Sequence, residues 1–352
     1  MEPNLNNKQW LDSLRAIAML GVIIIHVSSP LVNMTYGRNM SFWWIGNFVD
    51  SGVRFAVPLF LMLSGATLLV REYKLSEFYK RRFLRVLVPF LFWMIVYWVY
   101  RWFMLSPKQQ PQDVQSILQW AVHLFLKEGI SKHFWYIYMI VFIYLFVPFL
   151  GKGIRKLSNS AILYLLIGWV ILTFACRSIP LNMYNWSGDY ISKLVGYFLF
   201  AGYLIVGYYL SKISIASTKI RYGALLVFIL TIILSAVSTY FLSSIAHKLD
   251  LKMYGYLNIN TIVQTIALFI LVKDVEVKNR YFSMFQHTVS NYSYGIYLVH
   301  ILVLGVFFNN GIFWTMAHPL ISLPLVFILT LATSFVIIYI LRKIPYGNYI
   351  SG

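Results

Sequence analysis

Long, nearly uninterrupted apolar blocks constrain this chain more than any other feature. They recur along its length in runs of about 17–25 residues, the length a helix needs to cross a bilayer. A soluble protein could not hide so many of them. Of the 352 residues, 60% are hydrophobic and 11% charged, against about 25% charged in soluble domains. A net charge of +18 would by itself suggest nucleic acid. The charges, however, cluster between the apolar blocks as they do in membrane loops, and no nucleic-acid partner is expected. Cys176 is the single cysteine, which excludes an internal disulfide and a thiolate metal cluster. Near a helix end, it reads as a packing residue.

The apolar blocks predict an all-α polytopic membrane protein with about ten transmembrane helices. Their approximate spans are 10–31, 50–70, 83–105, 133–151, 160–177, 191–211, 221–243, 257–273, 290–309 and 321–342. Val114–Leu126 is apolar on one side and too short to span, and is expected along the membrane surface. The first block contains Asp12 and Arg15 and lacks a clean small-residue cleavage site, so it reads as a retained helix.

Orientation follows from Lys and Arg in the short loops. One set holds Lys8, Arg71, Lys74, Lys80, Arg81, Arg82, Arg85, Lys152, Arg155, Lys156, Lys212, Lys219, Arg221, Lys273, Lys278, Arg280, Arg342 and Lys343. The other holds Arg38, Arg101, Lys108, Lys127, Lys132, Arg177, Lys193, Lys248 and Lys252. The first is richer by about two to one, so both termini are expected in the cytoplasm. A single membrane domain over 8–343 is expected, followed by a short cytoplasmic tail, 344–352. No internal repeat supports an inverted-repeat transporter.

Ionisable groups within spans cost several kcal/mol unless paired or hydrated, and are functional candidates by default. In the first span, Arg15 and His26 are eleven residues apart. They therefore share a helix face, about 16 Å apart along the axis. Asp12, one turn below Arg15, can pair with it. Apolar surroundings disfavour an imidazolium, so His26 is expected neutral and able to act as a base; a hydrogen-bonded core histidine is the alternative reading. At the start of the third span, Lys80, Arg81, Arg82 and Arg85 precede Pro89. Arg82 and Arg85 share a face, and two guanidinium forks there suit phosphate groups. The same cluster would also serve topology or anionic lipid.

Asp50 and Arg54 open the second span, four residues apart, placed to neutralise each other or to contact an acceptor on the outer side. In the ninth span, Ser293, Tyr297 and His300 line one face, with His300 at a depth comparable with His26. No GxGxxG follows a strand, and no Walker or HExxH motif is present. The seven histidines lack metal-ligand spacing, so no metal is expected. Trp43, Trp44, Trp135, Tyr136 and Tyr138 suit sugar faces, although Trp and Tyr gather at every membrane interface.

Several of these elements, in order, resemble the membrane-bound acyltransferase-3 family. They are Leu-Asp-Ser-Leu-Arg15-Ala with His26, then Ser51-Gly-Val-Arg-Phe-Ala-Val-Pro58 through Ser64-Gly65, and Arg82-Phe-Leu-Arg85 with Pro89. His133-Phe-Trp135-Tyr-Ile-Tyr with Tyr144 and Pro148 follows, and then Ser293-Tyr-Gly-Ile-Tyr297-Leu-Val-His300. Within the family the chain is most similar to the enterobacterial common antigen O-acetyltransferase type. The resemblance departs at Phe55-Ala-Val-Pro58, where glycines are partly replaced.

The resemblance implies an O-acyltransferase in a bacterial cell inner membrane. Acyl-CoA, foremost acetyl-CoA, would be a co-substrate taken from the cytoplasm, with no permanently bound cofactor. The acceptor would be a hydroxyl of an envelope glycan or lipid-linked saccharide. His26 becomes the catalytic histidine, as base or transient acyl carrier, with Arg15 as its partner. Arg82 and Arg85, helped by Lys80 and Arg81, bind the donor. Apart from the resemblance, His300, Tyr297 or Ser293 are candidates to steady the oxyanion or the acceptor, and Asp50, Arg54 and Trp135 are further acceptor candidates. The alternatives are a transporter or flippase for a lipid-linked glycan or acyl-carrying metabolite, and a non-catalytic assembly or sensory protein.

Overall fold

The structure is a computed structural model that describes residues 9–105, 113–124, 130–178 and 190–352. Lys8, Lys108 and Lys127, counted above for orientation, lie outside the described residues, as do residues 125–126 of the expected surface segment. The described residues are helical, with no strand. In chain order the helices are α1 (Gln9–Thr35), α2 (Met40–Gly52), α3 (Ala56–Leu68), α4 (Leu75–Met104), α5 (Val114–His123), α6 (Trp135–Ile154) and α7 (Asn159–Ser178). There follow α8 (Tyr190–Lys212), α9 (Thr218–Ile245), α10 (Ile259–Val272), α11 (Arg280–Asn309), α12 (Pro319–Lys343) and the short α13 (Gly347–Ile350). Short 3-10 turns at Lys132–Phe134 and Lys252–Tyr254 lead towards α6 and α10. Ten segments are long and apolar enough to cross a membrane, as the apolar blocks predicted. α5 is not among them; Asp113 caps it, accepting from Ser116 N at 2.7 Å.

The second span is a pair of helices, α2 and α3, broken at residues 53–55. Pro58 supplies the reason. It has no N–H for the Arg54 carbonyl, and its ring crowds that carbonyl, so the ladder of α2 cannot run through residue 54. The span begins ten residues before Asp50, at Met40, where Asn39 accepts from Phe42 N at 3.1 Å. Asp50 in the last turn of α2 and Arg54 within the break therefore lie inside the span rather than opening it. Their ion pair is buried, Asp50 at 1% and Arg54 at 8% exposure. A break within a span is tolerated where it is enclosed by protein, and α1, α9 and α10 enclose this one.

α4 and α11 likewise extend further than their apolar blocks, starting at Leu75 and Arg280. Their first turns project past the apolar zone at one end of the bundle, hereafter the basic end. Lys80, Arg81, Arg82 and Arg85 thus lie on a formed helix. Residues 344–352 fold back at this end, with Trp93 Nε1 donating to the Ile350 carbonyl at 3.1 Å.

Packing inside the bundle relies on small residues where backbones meet. A Cβ on Gly65 would lie 1.8 Å from the Leu204 carbonyl oxygen, and one on Gly207 would lie 1.9 Å from that of Met62. α3 and α8 therefore touch backbone to backbone, as small residues permit between membrane helices. On α9, buried Thr231, Ser235, Thr239 and Ser243 repeat every four residues, while Leu226, Leu230, Ile233 and Leu234 are exposed. That arrangement suits a helix with lipid on one side and protein on the other.

Two outcomes follow for stability. Gly65→Val should force α3 from α8 and cost about 1–3 kcal/mol, read as a lower unfolding midpoint in detergent; an unchanged midpoint would contradict the contact. Asp50→Asn should cost about 3–5 kcal/mol by stranding the Arg54 charge. The double variant Asp50→Leu with Arg54→Met should unfold later than Asp50→Asn alone.

Candidate active site

α1 and α11 run parallel and in register. Gln9 Nε2 donates to Ser283 Oγ at 2.9 Å, and Ser13 Oγ donates to Gln286 Oε1 at 3.1 Å. Asp12 joins His287 Nδ1 at 2.9 Å and accepts from Ser290 Oγ at 2.6 Å. Arg15 Nη1 donates to Ser290 Oγ at 2.9 Å and lies 3.4 Å from Asp12 Oδ1. Partners differ in number by 273 to 278 throughout. The same register, carried inward, brings His26 beside His300, ring centroids 5.2 Å apart.

A third histidine completes the group. His133, in the turn before α6, has its ring centroid 5.2 Å from His300 and 6.5 Å from His26. His133 and His300 are buried, at 3% and 0% exposure, whereas His26 is only partly buried. His26 is thus the least buried of the three rings. Tyr297 packs on His133 at 5.3 Å, and its hydroxyl donates to the His133 carbonyl. Ser293 lies two turns from His300 towards the basic end, its hydroxyl donating to the Ser290 carbonyl at 2.7 Å. Among the described residues, no three His, Cys, Asp or Glu side chains are placed to share a metal ion.

At the basic end, the charges of Arg82 and Arg85 reach Arg15. Neither Arg82 nor Arg85 has a carboxylate within ion-pair distance among the described residues, whereas Arg81 approaches Glu77 at 3.9 Å. Lys80 is exposed. Burial pushes the Tyr73 phenol above its ordinary value, and the charges of Arg82, Arg71 and Arg155 oppose that rise. Tyr73 lies between α3 and α4, so this places Arg82 against the loop below α3. A cavity of about 420 Å³ opens here, lined by Arg81, Arg85, Pro89, Arg342 and Tyr349 among others. Phenols connect this end with the histidines. Tyr144 lies near Arg15 and near both Tyr136 and Tyr294, and those two lie near Tyr297. Tyr136 packs on Tyr297 at 5.7 Å.

On the other flank of His26 is the helix break. The Arg54 charge acts on His26 and on Tyr256, and Arg54 lies 4.2 Å over the Tyr254 ring. Trp135 stacks on Tyr256 at 5.7 Å and 22°. Asp50 pairs with Arg54 and faces no substrate space of its own, being 1% exposed. The expected site residues thus divide into a histidine group with its Arg54 and Trp135 flank, and an arginine group about 16 Å away along α1.

Sequence reasoning passed over His133 and Tyr97 as site residues. His133 sits in a 3-10 turn at a span's edge, so helical spacing carries no information about its depth. Tyr97 lies in an apolar block among aromatics. Its hydroxyl donates to Leu298 O at 3.1 Å and accepts from Leu302 N at 2.9 Å, entering the α11 ladder around His300. Only the His-Phe-Trp element in the fourth span signalled His133 beforehand.

Neither a curated protein nor a solved structure matches the chain. A family model described as an acyltransferase domain matches residues 8–342. An accessible histidine in a buried group, connected to a cluster of arginines, is chemistry that an acyl transfer can use. Ten spanning segments and a family match over nearly the whole chain make this a multi-pass membrane protein that belongs to the acyltransferase-3 family.

Proposed function

We propose that this protein is an acyl-CoA-dependent O-acyltransferase, with acetyl the preferred group and a hydroxyl of a cell-envelope glycan or lipid-linked saccharide as acceptor. Within the family, the motif resemblance favours the enterobacterial common antigen O-acetyltransferase type, in a bacterial inner membrane. The excess of Lys and Arg supports a cytoplasmic basic end. The observation that carries this reading is the line from Arg15, Arg82 and Arg85 through the phenols to His26.

Acyl-CoA brings several phosphate charges and a long, flexible arm. Guanidiniums bind phosphate through forked hydrogen bonds. Arg82 and Arg85, with no carboxylate within ion-pair distance among the described residues, are available for this, with Lys80 and Arg81 adding field. Arg15 is held by Ser290 and Asp12 at the mouth of the path, fixed to steer the donor. The phenols give the amide-bearing arm polar partners inside the bundle. The thioester then arrives near His26, which takes the proton from the acceptor hydroxyl as its oxygen attacks the thioester carbonyl. Arg54 and the stacked Trp135 and Tyr256 lie on the side from which a saccharide would approach.

Two measurements test this. Acetyl-CoA binding to the purified protein in detergent should weaken about tenfold or more for each arginine lost in Arg82→Ala and Arg85→Ala. Absence of binding by the folded wild type, to acetyl-CoA and other acyl-CoAs alike, would refute the donor assignment and favour transport of a lipid-linked saccharide. His26→Ala should retain acetyl-CoA binding and lower transfer by about 10²–10⁴-fold. A folded His26→Ala protein with wild-type rates would remove His26 from the chemistry.

A further inference from the structure

We infer that His133 is a catalytic residue, its Nε2–H donating to the oxygen of the thioester carbonyl as negative charge develops there. The inference rests on the proposed acyl transfer and adds to it a residue and a division of labour among the three histidines.

His300 Nδ1 lies 2.7 Å from the Tyr297 carbonyl oxygen. A carbonyl oxygen only accepts, so Nδ1 carries the hydrogen, and in a neutral ring Nε2 is left with a bare lone pair. Neutral His300 therefore has nothing to donate to an oxyanion. His133 Nδ1 lies 2.7 Å from Ser131 Oγ. An Nδ1–H would leave the Ser131 hydroxyl proton without an acceptor among the described residues, so the better-satisfied arrangement has Ser131 donating to Nδ1. The ring hydrogen of His133 is then on Nε2. Both Nε2 atoms are buried and have no hydrogen-bond partner among the described residues. The Leu298 carbonyl lies close enough to act on the ring, but it bonds the Tyr97 hydroxyl at 3.1 Å and is outside hydrogen-bond geometry to His133 Nε2.

A buried donor without a partner costs about 1–3 kcal/mol, and such groups call for a ligand or a role. Here an orphan donor and an orphan acceptor flank the accessible ring of His26. Other hydroxyls nearby are committed, Tyr297 to the His133 carbonyl and Ser293 to the Ser290 carbonyl. Between the two buried rings, and among the described residues, His133 Nε2–H is thus the unpaired donor and His300 Nε2 the unpaired acceptor. In the step, the acceptor oxygen bonds to the thioester carbon while its proton passes to His26. The carbonyl π pair moves onto oxygen, which His133 holds. The C=O re-forms as the C–S bond breaks, and the coenzyme A thiolate takes the proton back from His26. Ester and free thiol are the products.

The test begins with acetyl-CoA binding by the wild type, so that failure of the donor assignment is seen separately. Nitrogen-15 NMR of histidine-labelled protein in nanodiscs, assigned with His133→Gln and His300→Gln, should show Nε2–H for His133 and Nδ1–H for His300. An Nδ1–H tautomer at His133 would overturn the inference whatever the activity. Thiol release from acetyl-CoA, with water and with octyl glucoside as acceptors, should fall about 10²–10³-fold in His133→Phe, the loss typical of one oxyanion donor. Acetyl-CoA affinity should stay within about twofold, and His133→Gln, which restores an N–H donor, should recover about tenfold of the rate. His133→Phe at wild-type rate while His26→Ala is inactive would refute this inference and leave the proposed function standing. Wild type that binds acetyl-CoA and releases no thiol would refute both. Should His133→Phe fail to fold, Ser131→Ala serves instead. Loss of tautomer control should slow release about tenfold, and an unchanged rate would overturn the inference.

Discussion

The parallel register between α1 and α11 is the constraint on which the rest of this structure depends. Four side chains at the base of α1 lock onto α11 through Ser283, Gln286, His287 and Ser290. Between two membrane helices there is little hydrophobic drive, since lipid is as apolar as the partner. Polar rungs then decide which residues meet. A slip of one residue would rotate α11 by about 100° and take His300 away from His26. The rungs near the basic end therefore set the geometry of the histidine group well inside the bundle, and Arg15 belongs to both tasks.

The cost of polar groups in the membrane explains where the rest are found. The Asp50–Arg54 pair sits where Pro58 breaks the second span, and it is covered by Tyr254 and flanked by Tyr256. The break and the charges occur together because unsatisfied backbone and buried charge both need enclosure by protein. That enclosure lies against His26, so the same local arrangement that pairs the charges also brings the Arg54 guanidinium towards the histidine group. On the opposite side, the serines and threonines of α9 bond mainly within their own helix, as Ser235 and Thr239 do with carbonyls four residues back. Their small size lets α10 and its polar residues come close, with Asn260 Nδ2 donating to Ser235 Oγ at 2.6 Å.

Much of the architecture was legible because a bilayer imposes one length and one composition on every span. The ten segments and the non-spanning α5 follow from that. Helix starts were less legible. α4 and α11 each extend for turns past their apolar blocks, since a helix satisfies its backbone equally well in water and hydropathy registers only the part in lipid. For the same reason Asp50 looked like the mouth of a span when Met40–Gly52 was already helical. The shared face of Arg15 and His26 was legible, because both lie on one uninterrupted helix. His133 was not, because a 3-10 turn at a span's edge has no periodicity that reports depth.

By itself, the sequence determined the class of protein, the number of crossings and the polar residues the membrane would not tolerate without a purpose. Those properties depend on local composition and on the fixed rise of a helix. Only the tertiary structure decided which of these residues are neighbours. It joined His26, His133 and His300 from three separate segments, placed Arg15 within the field of Arg82 and Arg85, and committed the hydroxyls of Tyr297 and Ser293 to backbone carbonyls. Each of these is a long-range pairing set by helix register and packing, and no local pattern in the chain encodes it.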